Sequence, residues 1–292
     1  MDQENPELHV FKDVMVRAMN DDLRVLQLSE YEILKAFIIV CEENSLTYYL
    51  SYGSLLGAKR HKGFIPWDDD VDVSMPRKDF NIFCEKAYSC LPKTLVFEHF
   101  TIDETYDSYV PRIENRTVIM EDIFGKQYYA WIDIFPIDGM PKSKSVIRFF
   151  HKFNLLKRRM IINVARMSTG ISFDSPKRSV FEKALIRFFK FTKIGKLFNR
   201  RKQYKKLDKE LSKYDPLITG NCVCFMGEKF KDECPFDYYG RGRYLNFEGT
   251  KMHVPLKTEE ILNLLYGDYM QLPPEDLRNV HNLKCVRVIS DE

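Results

Sequence analysis

Apolar residues recur at Tyr31, Leu34, Ile38 and Cys41, and this stripe at i, i+3, i+7 predicts an amphipathic helix over Glu30 to Glu43 that packs on a sheet. Leu46 to Ser51 is short and aromatic and reads as a strand; it runs into Gly53 and Ser54 and then a helix over Leu55 to Arg60. Val71 to Met75 alternates with the period of two that a strand requires, and Pro76 ends it ahead of a helix from Lys78 to Cys90. Further strands are expected at Leu95 to Thr101, Tyr109 to Arg112, Val118 to Asp122 and Tyr129 to Phe135. From Ser143 to Lys213 the pattern turns helical, with breaks near Gly170 to Pro176 and near Gly195. The tail from Thr219 to Glu292 mixes short strands with a helix over Lys257 to Tyr266, so the whole reads as a mixed α+β protein.

Composition narrows the class. With 292 residues, 45% hydrophobic and 30% charged, the chain can bury the core of one large or two small domains, which excludes disorder. Its longest strongly apolar stretch, Ala36 to Cys41, is too short to span a bilayer, and the sequence opens on acidic Asp2 and Glu4, so a cytoplasmic protein is expected. Seven cysteines without framework spacing read as reduced thiols. The net charge of +3 hides an asymmetry: Lys142 to Lys213 holds 22 Lys and Arg against 4 Asp and Glu, a local +18, leaving 23 against 38 elsewhere. Phe149, Phe150, Phe153, Leu155 and Leu156, then Phe181, Leu185, Phe188, Phe189 and Phe191, interleave with these cations. The favoured reading is helices that turn Phe inward and Lys outward; peripheral contact with an anionic membrane is a second use of the charge. No base-reading motif is present, so no nucleic acid is expected.

Asp68, Asp69, Asp70 and Asp72 place four carboxylates within five residues, flanked by Trp67, Val71 and Val73. Such repulsion needs a compensating cation, and oxygen ligands suit Mg²⁺ or Mn²⁺. Strand alternation predicts Asp68, Asp70 and Asp72 on one face and Asp69, Val71 and Val73 on the other. Upstream, Gly53 and Ser54 open a helix whose free N–H groups suit a phosphate. Asp133 interrupts the apolar run Trp131 to Pro136, where a lone carboxylate is costly unless paired or metal-bound. If its strand lies beside that of Asp70 and Asp72, the three carboxylates share a site fit for metal-assisted phosphoryl transfer. Arg60, Lys62 and Arg112 are candidates to neutralise a diphosphate, and His61 is a weaker candidate for a base than Asp133.

The run Tyr52-Gly53-Ser54-Leu55-Leu56-Gly57-Ala58-Lys59-Arg60-His61-Lys62-Gly63-Phe64-Ile65-Pro66-Trp67-Asp68-Asp69-Asp70-Val71-Asp72-Val73 resembles the signature of the LicD family of phosphotransferases, within the nucleotidyltransferase superfamily. Trp131 to Gly139 and the late Tyr266-Gly267-Asp268-Tyr269-Met270 with Pro273-Pro274 also resemble family motifs; coverage runs from about Glu30 to Gly139 and from Lys251 to His281, and the basic middle matches none. The resemblance implies a nucleotidyltransferase-like core with a mixed β-sheet flanked by helices over residues 1–141, a basic helical insertion over 142–218, and an α+β part over 219–292 that completes the catalytic domain. It implies transfer of a phospho-substituent, phosphocholine-like, from a CDP-linked donor to a hydroxyl of a glycan or its lipid-linked precursor. Attachment of a nucleoside monophosphate and a non-catalytic membrane adaptor are the alternatives. Carried over, Asp70 and Asp72 are catalytic metal ligands, Asp133 is the third carboxylate, Asp68 supports the metal shell, and Gly53 and Ser54 hold donor phosphate. Animal relatives carry a zinc site, of which Cys222, Cys224 and Cys234 with His253 are the only hint here; their spacing reads instead as buried thiols.

Overall fold

The computed structural model describes residues 22–122, 125–142, 145–168, 179–227, 229–275, 278 and 284–288. The expected break at Gly170 to Pro176 and the end of the late resemblance at His281 lie outside them.

The first helix, α1 (Asp22–Glu43), begins eight residues earlier than the apolar stripe predicts. It ends where Ser45 turns left-handed and the Leu46 amide closes back on the Cys41 carbonyl at 2.8 Å. Strand β1 (Tyr49–Leu50) then meets α2 (Tyr52–Arg60), which starts at Tyr52, so Gly53 and Ser54 lie in the first helical turn. Strand β2 (Val71–Pro76) leads directly into α3 (Arg77–Lys86) and a short 3₁₀ turn over Ala87–Cys90. Strands β3 (Leu95–Glu98), β4 (Arg112–Glu121) and β5 (Gln127–Gly139) follow. Tyr109 to Arg112 is not a strand of its own. Arg112 is the first residue of β4, which absorbs the expected Val118 strand through a bulge after Asn115. The Asn115 side chain holds that bulge by accepting from the Thr117 amide at 3.0 Å and hydroxyl at 2.7 Å.

The sheet runs β1-β2-β5-β4-β10, with β10 (Lys284–Val288) on the far edge of β4 and β3 paired to the near half of β4. Among the described residues only β2 and β5 pair in parallel; their neighbours are antiparallel. Helix α1 covers the face formed by Val71, Val73, Ile132 and Ile134, all fully buried. Two shorter strands, β6 (Asn221–Val223) and β7 (Cys234–Pro235), extend the end of β5. A separate hairpin of β8 (Arg243–Phe247) and β9 (Thr250–Val254) turns at Gly249, where φ is +84°.

The basic segment forms α4 (Val146–Met167), α5 (Val180–Thr192) and α6 (Arg200–Leu211), with a 3₁₀ turn at Ile194–Leu197 where Gly195 predicts a break. A short α7 (Pro216–Thr219) precedes β6, and α8 (Thr258–Tyr266) follows β9. The inward packing of Phe is overturned. Leu155, Ile162 and Ile186 are buried, but Phe149, Phe150, Phe153, Phe181, Phe188 and Phe191 face outward. The fixed 3.6-residue period places them opposite the buried positions.

His99, packed between Phe97, Phe100 and Phe80, sets a pH dependence. Burial pushes its imidazole down to about 4, with Asp208 opposing and Arg77 reinforcing the shift. Because the unfolded imidazole protonates near 6.5 and the folded one does not, stability present above pH 6.5 is lost as pH falls toward 4, by about 3 kcal/mol in total. Denaturation of wild type and His99→Gln between pH 7 and 4 should therefore diverge, the variant losing less. Parallel curves would mean that His99 titrates normally in the fold.

Candidate active site

Register alone places Arg112, Asp133 and Asp72 in one row across β4, β5 and β2, since Asp133 pairs with Asp72 on one side and with Arg112 on the other. Neighbouring strands lie about 4.8 Å apart, so the three side chains share one face of the sheet. Exposure confirms the alternation: Asp68, Asp70 and Asp72 are half-buried, while Asp69, Val71 and Val73 are buried. The ladder itself begins only at Val71, so Asp68 to Asp70 hold this alternation as an extended lead-in.

Local contacts fix the lead-in. Gln27 on α1 donates to the Asp68 carbonyl at 2.9 Å, and Ser54 Oγ accepts the Asp72 amide at 2.9 Å. A Cβ at Gly53 would lie 2.4 Å from Asp68 Oδ2, so any side chain there would displace that carboxylate. The start of α2 is strained, with Tyr52 at φ +46°, and is held by the Tyr52 hydroxyl donating to Asp232 at 2.7 Å. Gly53 and Ser54 thus present the first turn of a nine-residue helix beside the carboxylates.

Arg112 grips Asp133 with Nε at 2.7 Å and Nη2 at 3.3 Å, lies 4.5 Å over the Trp131 ring, and leaves Asp133 a third donor in Trp131 Nε1 at 3.3 Å. Burial and the like charges of Asp70, Asp133 and Asp68 hold the Asp72 carboxyl well above the usual range, with Arg112 partly opposing them. Arg60 donates to the Tyr269 carbonyl at 2.8 Å and to His61 Nε2 at 2.9 Å, which joins the late motif to the first. Burial lowers both groups, and Arg60 lowers His61 further. Lys62 is exposed at φ +60° and is not brought to the carboxylates; its backbone carbonyl accepts from the Glu248 amide.

Two residues escaped the sequence reading. Arg278 lies 4.9 Å over the Trp67 ring, whose edge meets His61. Glu30 on α1 is fully buried, and neither carboxyl oxygen has a hydrogen-bond partner among the described residues. Burial first, then Asp70, Asp69, Asp68 and Asp72, push its carboxyl well above the usual range. The signal was present: Leu26, Glu30, Ile33 and Phe37 form one i, i+4, i+7, i+11 stripe, with a carboxylate on its apolar face.

The carboxylates offer hard oxygens only, and their mutual repulsion and the orphaned Glu30 are what a cation would relieve. Among the described residues no three His, Cys, Asp or Glu side chains already surround one point, and Asp133 is held in the Arg112 fork. Nor do the cysteines form a zinc site among the described residues. Cys222 and Cys234 face each other with sulfurs 3.8 Å apart, Cys224 meets the Tyr239 hydroxyl, and both ring nitrogens of His253 lie against the Tyr48 and Arg241 carbonyls. No helix among the described residues is long and apolar enough to cross a membrane.

Residues 45–192 match the sequence model of the family described as LicD/FKTN/FKRP, nucleotidyltransferase domain. The chain is 30% identical over 274 residues to the lipopolysaccharide cholinephosphotransferase LicD of Haemophilus influenzae, covering 90% of this chain and 96% of that protein. An uncharacterized protein of Rickettsia prowazekii is 23% identical over 38% of this chain and 45% of its own length. One from Rickettsia typhi is 40% identical over 52 residues, 18% of this chain and 17% of its own.

Proposed function

Since the chain belongs to the LicD family and is a transferase, we propose that it moves a phosphocholine-like group from a CDP-linked donor to a hydroxyl of a cell-surface glycan or its lipid-linked precursor. The observation that carries this reading is the row Arg112, Asp133, Asp72 across three adjacent strands, with Asp70 and Asp68 leading into it. The name of the Haemophilus influenzae relative supports the transferred group and the class of acceptor.

Asp70 and Asp72 are the proposed ligands of Mg²⁺ or Mn²⁺, with Asp68 in support and Asp133 joining once the Arg112 fork opens. A bound cation would neutralise the donor diphosphate and the charge that develops on the leaving group. Gly53 and Ser54 in the first turn of α2, together with Arg60, would hold the diphosphate. The acceptor oxygen attacks the phosphorus, the phosphorus–oxygen bond to CMP breaks, and the hydroxyl proton passes to Asp133 once the Arg112 fork has released it.

Incubation with CDP-choline, Mg²⁺ and a glycan acceptor should release CMP; release of pyrophosphate from a nucleoside triphosphate instead would make the chain a nucleotidyltransferase. Mg²⁺ at about 100 times its Kd should also stabilise the wild type by about 2.7 kcal/mol and leave Asp70→Ala unmoved. A wild type that responds to neither Mg²⁺ nor Mn²⁺, even with CDP present, would have no cation site at these residues.

A further inference from the structure

Helix α4 is apolar on two opposite sides. Leu155 and Ile162 face the core, while Phe149, Phe153, Leu156 and Met160 follow one another at i, i+4, i+7, i+11 along the outer side, Phe149 being 67% exposed. Phe153 and Leu155 are two positions apart, about 200° around the helix, so the outer stripe cannot be an edge of the buried one. Helix α5 repeats the feature with Phe181, Phe188 and Phe191, the last 87% exposed, and buries only Ile186. The two helices are fastened at one end: Ser168 Oγ donates to the Phe189 carbonyl at 3.1 Å and accepts the Gly195 amide at 3.0 Å. Exposed phenylalanines on this scale are not tolerated on a solvated face without a partner.

The charge says which partner. Other cations of the same segment are spent on ion pairs, Arg148 and Lys152 with Glu233, Arg200 with Asp107 and Arg201 with Glu104. Lys157, Arg187, Lys193 and Lys196 are exposed beside the Phe stripes and form no ion pair with a described residue. A second copy of the chain would set one such cationic face against another. An anionic bilayer meets both demands, acyl chains for Phe and headgroups for Lys and Arg.

We propose that the outward faces of α4 and α5 form an interfacial membrane anchor that lies in the plane of an anionic leaflet. The inference rests on this surface alone and not on the transferase reading. Each engaged Lys or Arg contributes about a fivefold factor in affinity near such a surface, and that part is screened by salt.

Co-sedimentation tests it. The protein should pellet with vesicles of phosphatidylcholine and phosphatidylglycerol at low salt, bind about tenfold or more weakly at about 0.5 M salt, and bind poorly to phosphatidylcholine alone. Phe149→Ser with Phe153→Ser leaves the charge intact and should weaken binding about tenfold or more, with thermal unfolding unchanged because both side chains are exposed. CMP release with a soluble acceptor should be unaffected, which separates loss of the anchor from failure of the transferase reading. Wild type that stays in the supernatant with anionic vesicles at low salt overturns the proposal, as does a double variant that pellets like wild type. A solution dimer that dissociates in the double variant, without vesicle binding by the wild type, would assign the stripes to a second copy instead.

Discussion

An Asp72→Asn protein is expected to lose turnover by about 10²–10⁴-fold while becoming more stable than wild type when no cation is present. Asp72 sits in register with Asp133 and beside Asp70 and Asp68, so its charge is opposed on several sides. A carboxyl raised in the fold contributes stability below its unfolded pKa, near 3.9, and that contribution is lost as pH rises through the folded value. At neutral pH the ionised Asp72 is therefore a cost, which Asn removes at almost the same volume. The advantage of the variant should shrink as pH falls and vanish below about pH 4. Mg²⁺ should reverse the order, since only the wild type has the carboxylate to gain from it. Melting curves at pH 7 and pH 4, with and without Mg²⁺, give all four comparisons. A variant that is less stable than wild type in EDTA at pH 7 would show that Asp72 serves the fold through a contact rather than the site through its charge.

That tension was legible in the sequence because it is local. Asp68 to Val73 carries its own alternation, and the alternation survives even where the ladder has not begun. Asp133 announced itself as a carboxylate in an apolar strand. What periodicity could not supply was the partner. The sequence makes Arg112 a candidate phosphate ligand; that pairing across β4 and β5 also delivers it to Asp133 depends on register between strands 21 residues apart in sequence, which the bulge after Asn115 fixes. The stripe at Tyr31, Leu34, Ile38 and Cys41 starts the helix at Glu30, which makes that residue a polar boundary instead of a charge on the buried stripe. The basic helices failed for a different reason: a stripe of Phe at helical spacing has the same signature whether the face it defines is covered by protein or not. Only the second stripe, Leu155 and Ile162 on the opposite side, reveals that the core contact is already taken.

Arg77→Met is expected to cost about 3–5 kcal/mol of folding stability. Arg77 opens α3 immediately after β2 and donates to both oxygens of Asp138 on β5, at 2.6 and 2.8 Å, to Asp208 on α6 at 2.9 Å and to the Tyr109 hydroxyl at 3.2 Å. Asp138 is 1% exposed, so without the guanidinium it becomes a buried carboxylate with no counter-charge. Burial already holds Asp138 above the usual range with Arg77 opposing it, and loss of Arg77 drives it toward protonation, which caps the penalty. The clamp also bears on function. It ties together the ends of the two parallel strands that carry Asp72 and Asp133, five residues before Arg77 and Asp138 respectively, and it pins α6 of the basic segment to them. Turnover should therefore fall with stability in Arg77→Met. Adding Asp138→Leu removes the stranded charge and should recover most of the stability, because a buried pair replaced by apolar groups of similar size is near neutral. Chemical denaturation of the two variants decides the matter: a double variant no more stable than Arg77→Met would place the loss in the Asp208 and Tyr109 contacts, and so in the docking of α6 rather than in the junction of β2 with β5.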